Sequence, residues 1–262
     1  MKKLSQKSLI VFDLDGTLAE SKAPLKSDMA RALKELLIEK RVAVIGGGSY
    51  ELFKDQLVKH LPLPASLLER LFLFPTTSTA FYRYKSGAWV TVYRKTLSAA
   101  DKKKIMKAFA DAFMETGYVH PKKLWGKVIE DRGSQVTFSA LGQDVVTALG
   151  KRGITMKEEW FEKNQPLRLK MVKIMARELP RFEVRSGGLT SIDVTQKGID
   201  KAYGVRQIEK HLHVPIKDMV FIGDALYKGG NDAAAKKTGI QTIPTTGPKN
   251  TIAIIHKILG VK

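Results

Sequence analysis

The sequence contains no cysteine, which excludes disulfides, thiolate metal sites and cysteine nucleophiles. It also has no apolar run of about 20 residues, so we expect no membrane-spanning helix. The apolar stretch behind the N-terminal Met-Lys-Lys is short and runs into acidic residues, which is not typical of a signal peptide. We therefore expect a cytoplasmic protein.

Acidic residues are scarce relative to basic ones, with 26 Asp and Glu against 45 Lys and Arg and a formal net charge of +19. Such a balance indicates either nucleic-acid binding or attraction of an anionic substrate. The lysines are spread along the whole chain, and no zinc-finger or RNP motif accompanies them. The alternating Tyr82, Tyr84, Trp89 and Tyr93 are more typical of one face of a strand pair than of a base-stacking surface. A basic nucleic-acid-binding module is thus the most distant of the functions that we consider.

Apolar runs and helical spacing alternate at both ends of the chain. Residues 8–14 form a short apolar run that ends on an acid, a helical pattern covers 27–40, and a second apolar run covers 41–45. Another apolar run, 219–222, is followed by helix and strand patterns. This alternation predicts an α/β fold with a Rossmann-like parallel-sheet core.

The middle of the chain differs, with alternating strand patterns and two amphipathic helices over 99–114 and 166–179. We interpret this part as an inserted α+β cap. The predicted domains are a core from residues 1–86 and 188–262 and a cap from residues 87–187.

Two carboxylates, Asp13 and Asp15, follow the first predicted strand, with Gly16 for a sharp turn and the hydroxyl of Thr17 beside them. Carboxylates this close repel each other, and a hard cation such as Mg²⁺ relieves the repulsion. A carboxylate of this kind can attack phosphorus and form an aspartyl-phosphate. The same pattern also occurs in surface turns and calcium loops, although an apolar strand rarely precedes either of them.

A glycine triplet that ends at Gly48 and is followed by Ser49 comes after the second predicted strand. Backbone N–H groups and a hydroxyl at a helix N-terminus can hold phosphate oxygens. The alternative is a plain glycine turn.

Further candidates lie near the C-terminus. Asp224 follows the strand 219–222, and Asn231 and Asp232 follow a second glycine pair. Ligands bind at the carboxyl edge of α/β sheets, although Asp232 also suits a helix cap. Lys201 could bridge a nucleophile and a phosphate, but one lysine among so many is weak evidence.

Taken in order, these four segments resemble the haloacid dehalogenase superfamily, and the insertion resembles that of its α+β-capped branch of sugar phosphatases and phosphomannomutases. The resemblance implies Mg²⁺ as cofactor, Asp13 as nucleophile and Asp15 as general acid and base, with Ser49 and Lys201 on the phosphate. The implied metal-binding residues are Asp13, Asp15, Asp224, Asn231 and Asp232.

Within that branch the chain is most similar to eukaryotic-type phosphomannomutases. The long spacing from Gly223 to Asp232, the segment with Ser191 and Asp193, and the segment Glu130-Asp131-Arg132 carry this similarity. It implies a small phosphorylated sugar as substrate and allows a homodimer through the cap. The implied substrate-binding residues are Thr17, Lys22, Gly48, Arg132, Gln143, Ser191 and Asp193.

Two positions depart from that family, because Gln143 and Lys22 stand where it has arginine. A mutase must hold a bisphosphorylated sugar at both phosphates, and neither residue replaces a bidentate guanidinium. We therefore expect a Mg²⁺-dependent phosphatase that acts on a small phosphosugar through an aspartyl-phosphate. A phosphomannomutase-like hexose phosphate mutase is the alternative.

Overall fold

A computed structural model describes residues 3–260. The chain forms two compact units. The core unit combines the described residues up to Arg94 with those from Asp200 onwards, and the inserted unit is Lys95–Ile199. The predicted α/β fold is confirmed.

Within the described residues the strands are β1 (Leu9–Asp13), β2 (Arg41–Ile45), β3 (Leu71–Phe74), β4 (Ala80–Lys85), β5 (Ala88–Arg94), β6 (Ile129–Asp131), β7 (Gln135–Ser139), β8 (Phe182–Gly187), β9 (Ser191–Gln196), β10 (Met219–Gly223) and β11 (Gln241–Pro244). The helices are α1 (Ser27–Glu39), α2 (Tyr50–Gln56), α3 (Ala65–Leu68), α4 (Pro75–Ser78), α5 (Ala99–Thr116), α6 (Val145–Leu149), α7 (Lys151–Glu178), α8 (Lys201–Leu212) and α9 (Pro248–Leu259). Short 3-10 helices cover Leu4–Gln6, Val58–His60, Ile216–Asp218 and Asn231–Thr238.

The core sheet has the strand order β11-β10-β1-β2-β3-β4-β5. The strands from β11 to β3 are parallel, and β4 and β5 continue the sheet as an antiparallel hairpin. The chain leaves β1 towards β2 on one side and later returns to β10 on the other, so the strand order reverses beside β1. Ligands of open α/β sheets bind at such a switch point, at the carboxyl ends of the strands.

Helices cover both faces of the core sheet. Ile10 and Phe12 of β1 are fully buried on one face, in a cluster that includes residues of α1 and α9. Leu9 and Val11 are fully buried on the other face, in a cluster that includes residues of α8. Burial on both faces explains why β1 is a continuous apolar run rather than an alternating one.

The inserted unit has a four-stranded antiparallel sheet in the order β6-β7-β9-β8. Helices α5 and α7 pack on each other, and α7 also packs on β8. Helix α7 begins at Lys151, well before the predicted start at residue 166. Pro166, with which the predicted helix began, lies inside α7 and is exposed.

The limits of the two units differ from the predicted domain limits because of how two strands pair. The predicted cap begins at residue 87, but β5 pairs with β4 in the core sheet. The predicted core resumes at residue 188, but β9 pairs with β7 and β8 in the inserted sheet. No helix among the described residues is long and apolar enough to cross a membrane.

Candidate active site

Three acids and one lysine meet at the carboxyl edge of the core sheet. Asp13 is the last residue of β1, and Asp224 follows the end of the neighbouring strand β10. Asp232 lies in the first turn of the 3-10 helix that begins at Asn231. The carboxylates of Asp13, Asp224 and Asp232 have oxygens that all lie within 4.8 Å of one another.

Lys201 is the cation of this cluster. It begins α8, whose N-terminus is capped by Asp200 through a hydrogen bond from the Tyr203 N–H (2.8 Å). Its Nζ donates to Asp13 Oδ1 and to the Ile45 carbonyl (3.0 Å), and lies 3.0 Å from Asp232 Oδ1. The Lys201 side chain is only 3% exposed, so its charge depends on these partners.

Burial and mutual repulsion perturb the acids. Burial raises the pKa of Asp13 well above its usual value. The charge of Lys201 opposes this rise, and the charges of Asp232 and Asp224 add to it. Asp224 reaches solvent on one side, but desolvation of its other side and then the charge of Asp232 raise its pKa to about 6. Burial lowers the pKa of Lys201, but the charges of Asp13 and Asp232 prevail, so its pKa is raised and it stays protonated.

This charge balance fits a divalent cation. When all three carboxylates are ionised they carry −3 and Lys201 carries +1, which leaves −2 among groups that lie close together. Oxygen ligands of this kind are the ones that Mg²⁺ takes in proteins, and a cation of charge +2 would neutralise the cluster. Such a cation would offset the burial and mutual repulsion that raise the pKa values of Asp13 and Asp224.

Asp15 lies outside the acid cluster and is held by two donors. The Lys22 backbone N–H (2.6 Å) and the Gln56 side-chain amide (2.9 Å) both donate to Asp15 Oδ1. Lys22 thus contacts Asp15 through its backbone, in a left-handed conformation (φ 56°), whereas its side chain was predicted to bind substrate. The two bonds fix the Asp15 carboxylate through its Oδ1 atom.

Ser49 is the N-cap of α2, where its hydroxyl accepts from the Leu52 N–H (3.3 Å). The structure therefore places it at the N-terminus of a helix, where the glycine triplet was predicted to bind phosphate. The Gly48 carbonyl accepts from the Thr76 N–H (2.8 Å), and the Gly46 carbonyl accepts from the Thr77 N–H (2.9 Å). The loop before Ser49 is thus attached to the turn that follows β3.

Thr17 connects the first and last sequence motifs. Its hydroxyl accepts from the Asp224 N–H (3.1 Å) and donates to Asp224 Oδ1 (3.4 Å). The side chain is fully buried, so here it orients Asp224. Gly16, at φ 81°, allows this approach because a Cβ at that position would lie 2.6 Å from Asp224 Oδ2.

Arg132 and Gln143, predicted from sequence to bind substrate, contact each other in the inserted unit. Arg132 donates through Nε to Glu130 (2.7 Å) and through Nη2 to Gln143 Oε1 (3.1 Å). Gln143 in turn donates to the Thr137 carbonyl (3.3 Å). Gln143 therefore accepts a hydrogen bond from Arg132, which an arginine at the same position could not do.

Asp193 and Ser191 lie on β9 of the inserted unit. Asp193 Oδ1 accepts from the Thr137 hydroxyl (2.7 Å) and from the Gln135 amide (3.0 Å). These neutral donors fix the Asp193 carboxylate on the sheet. Ser191 lies at the start of the same strand, opposite Ser139 and Gly187.

Sequence reasoning missed several residues that support these side chains. Gln56 and Gln135 gave no signal, because a glutamine in an ordinary helix or strand pattern does not reveal that it is buried. Glu130 was quoted as part of a motif, but its ion pair with Arg132 was not foreseen. Asp200 did carry a signal, since an acid just before a helix is a typical N-cap.

The sequence matches the family described as eukaryotic phosphomannomutase over residues 29–261. A phosphomannomutase from Encephalitozoon cuniculi is 30% identical over 242 residues, which cover 87% of this chain and 83% of that protein. A phosphomannomutase from Spinacia oleracea is 27% identical over 264 residues, covering 97% and 96% of the two chains.

Solved structures share the fold at lower identity. An IMP-nucleotidase of Plasmodium falciparum in complex with IMP matches with a TM-score of 0.69 and 16% identity, over 97% of this chain and 68% of that one. A haloacid dehalogenase-like hydrolase of Bacteroides thetaiotaomicron matches with a TM-score of 0.58 and 13% identity, over 96% and 99%.

Proposed function

The chain belongs to the eukaryotic phosphomannomutase family, within the haloacid dehalogenase superfamily of phosphoryl-transfer enzymes, and from this membership we propose that it is a hexose phosphate mutase. The match over residues 29–261 is the observation that carries the proposal. It favours a mutase over the phosphatase that we expected from Gln143 and Lys22. The proposed substrate is a small phosphorylated sugar.

In the proposed mechanism Asp13 is the nucleophile. Its carboxylate attacks the phosphorus of a hexose bisphosphate, the bond to the sugar oxygen breaks, and an aspartyl-phosphate forms. Lys201 holds Asp13 Oδ1 and keeps its positive charge, so it offsets charge that develops on the phosphoryl oxygens. Asp15 gives a proton to the leaving sugar oxygen and takes one from the attacking hydroxyl in the return step.

Asp13, Asp224 and Asp232 are the side chains that we propose to hold Mg²⁺, with the Asp15 carbonyl and Asn231 in support. The cation would supply charge neutralisation for a phosphate group at the cluster. Asp232 has the least freedom to coordinate it, because its Oδ2 also accepts from the Ala225 N–H (3.1 Å) and its Oδ1 pairs with Lys201. Thr17 keeps Asp224 in place.

A phosphatase is the second candidate, and one observation favours it. Arg132 is paired with Glu130 and Gln143, so the guanidinium that the family resemblance assigns to the substrate is occupied. If water rather than a sugar hydroxyl attacks the aspartyl-phosphate, the same site hydrolyses its substrate.

One experiment separates the two candidates. The protein is incubated with mannose 1-phosphate, Mg²⁺ and a catalytic amount of glucose 1,6-bisphosphate, and the products are followed by ³¹P NMR. A mutase converts the substrate into mannose 6-phosphate without equivalent release of inorganic phosphate. Release of inorganic phosphate alone would overturn the mutase proposal in favour of the phosphatase.

The nucleophile is tested with Asp13→Asn, which we expect to abolish both isomerisation and phosphate release while the circular dichroism spectrum stays that of the wild type. Asp55→Asn is the control, because Asp55 is an exposed acid that forms an ion pair with Lys59, four positions along the chain. Retained turnover in Asp13→Asn would exclude the aspartyl-phosphate.

A further inference from the structure

The inserted sheet has one face lined with polar side chains. Val136 and Phe138 of β7 and Ile192 and Val194 of β9 are buried on the other face. Side chains alternate along strands, so the residues between them share the polar face. One cross-strand row on this face is formed by residues that are paired in register, namely Glu130, Thr137, Asp193 and Arg185.

Arg185 was not among the residues predicted from sequence. Residues directly opposite each other in antiparallel strands have their side chains on the same face, so Arg185 lies beside Asp193. The Thr137 hydroxyl bonds to Asp193 from the other side. Arg185 thus belongs to the same row as the acid that the family resemblance assigns to the substrate.

This polar face carries two guanidinium–carboxylate pairs. One joins a residue of β6 to the residue that follows the strand, and the other lies within β8. Arg132 pairs with Glu130 at 2.7 Å, and Arg185 pairs with Glu183 at 3.0 Å. The pairs differ in access to solvent, because the Arg132 side chain is 5% exposed and the Arg185 side chain is 29% exposed. A ligand can therefore reach Arg185 more readily than Arg132.

We propose that Arg185 is a specificity-determining residue that binds the distal phosphate of the substrate, in place of the guanidinium that is absent at Gln143. This inference rests on the proposed function. Arginine suits the role because its planar fork binds phosphate through two parallel hydrogen bonds. Glu183 competes with the phosphate for that fork, and its side chain, 27% exposed, can turn to solvent when the phosphate binds.

Because Glu183 and the phosphate compete for Arg185, replacing Arg185 and replacing Glu183 should change bisphosphate affinity in opposite directions. A purely structural role of the pair would not produce this difference. Arg185→Gln should weaken binding of a bisphosphate, whereas Glu183→Gln should strengthen it, because glutamine carries no charge to compete with phosphate. Glutamine also keeps an oxygen for the Gly198 N–H, which donates to Glu183 Oε2 (3.3 Å). Were the pair only structural, breaking it from either side would have the same effect.

The experiment is calorimetric titration of the full chain with Mg²⁺, in an Asp13→Asn background that prevents turnover. The two probes are glucose 1,6-bisphosphate and methyl phosphate, which has no distal group. The quantity measured is the dissociation constant of the bisphosphate divided by that of methyl phosphate. We expect Arg185→Gln to raise this ratio about tenfold, as for the loss of one charge-assisted pair. Glu183→Gln should lower it about threefold, and Arg181→Gln, an exposed arginine just before β8, should leave it unchanged.

An unchanged ratio in Arg185→Gln would overturn the inference while the mutase proposal, tested by isomerisation, stands. Equal weakening by Arg185→Gln and Glu183→Gln would also overturn it and assign the pair to folding. If the Asp13→Asn protein binds glucose 1,6-bisphosphate no better than methyl phosphate, the proposed function fails, and the inference that rests on it fails with it.

Discussion

Replacing Ser78 by glycine should stabilise this protein, although the change removes a fully buried side chain. Thr76, Thr77 and Ser78 adopt left-handed conformations in succession, with φ of 49°, 54° and 65°. Residues other than glycine lose about 1–2 kcal/mol in this region. Ser78 is also fully buried, and within residues 3–260 its hydroxyl has no hydrogen-bond partner.

The expected size of the effect follows from these contributions. Removing a buried hydroxyl that lacks a partner gains about 1–3 kcal/mol, and relief of the left-handed backbone adds about 1 kcal/mol. Against this, glycine costs about 0.5–1 kcal/mol through the freedom of the unfolded chain, and the small void costs a further ~1 kcal/mol. The net gain is about 1 kcal/mol, which corresponds to an increase in Tm of about 2–4 °C for a chain of this size.

Ser86→Gly is the matched control, measured beside Ser78→Gly by thermal unfolding. Ser86 has a left-handed φ of 51° in the turn between β4 and β5, but it is exposed. Its replacement relieves the same backbone strain without removing a buried hydroxyl. The difference in Tm between the variants therefore reports the buried hydroxyl together with the small void that its removal leaves. If Ser78→Gly is no more stable than Ser86→Gly, the reasoning about the buried hydroxyl is refuted.

A second variant examines the contact between Ser78 and α8. A Cβ at Gly204 would lie 2.4 Å from the Ser78 hydroxyl oxygen, so Gly204→Ala alone should be destabilising. In the Ser78→Gly background that clash is removed, and the close approach that remains is to the terminal methyl group of Ile45 (2.9 Å), the flexible end of a side chain. The helix then gains about 1 kcal/mol from alanine in place of glycine. The double variant should therefore be more stable than the sum of the single changes, and additive effects would contradict the contact.

Two further predictions concern the acid cluster. Thr17→Val removes the hydroxyl that positions Asp224. The Mg²⁺ concentration for half-maximal turnover should therefore rise about fivefold, which is equivalent to roughly 1 kcal/mol. An unchanged magnesium titration would contradict the role of Thr17. The pKa of Asp224 is raised to about 6 in the folded chain, so protonation of this carboxyl group stabilises the fold at low pH. This contribution to the free energy of unfolding is lost as pH rises from about 4 through 6. In EDTA, Asp224→Asn should gain Tm relative to wild type across that window, and a pH-independent difference would show that Asp224 is not strained by its neighbours.

How much could be predicted from sequence depended on whether a residue acts through its place in the chain or through a distant partner. The apolar run that ends at Asp13 was enough to place that acid at the carboxyl end of a buried strand, since burial on both faces leaves no alternation. Ser49 was likewise placed correctly at a helix N-terminus. In both cases a local pattern determines the local structure.

Partners far apart in sequence could not be predicted in the same way. Gln56 holds Asp15 from 41 positions away, and Thr17 binds Asp224 from 207 positions away. The limits of the inserted unit failed for a related reason, because strand pairing decides to which sheet β5 and β9 belong. A strand pattern shows that a segment is extended, but it does not show its neighbour.

The net charge of +19 and the charge of the candidate active site have opposite signs. The described acid cluster carries −2 after Lys201 is counted, so without a cation it repels a phosphate ester at short range. The surplus of lysines over the chain acts at longer range, where it raises the rate at which anions arrive and is weakened by salt. Substrate affinity should therefore depend steeply on Mg²⁺ and only weakly on ionic strength, whereas the association rate should show the reverse.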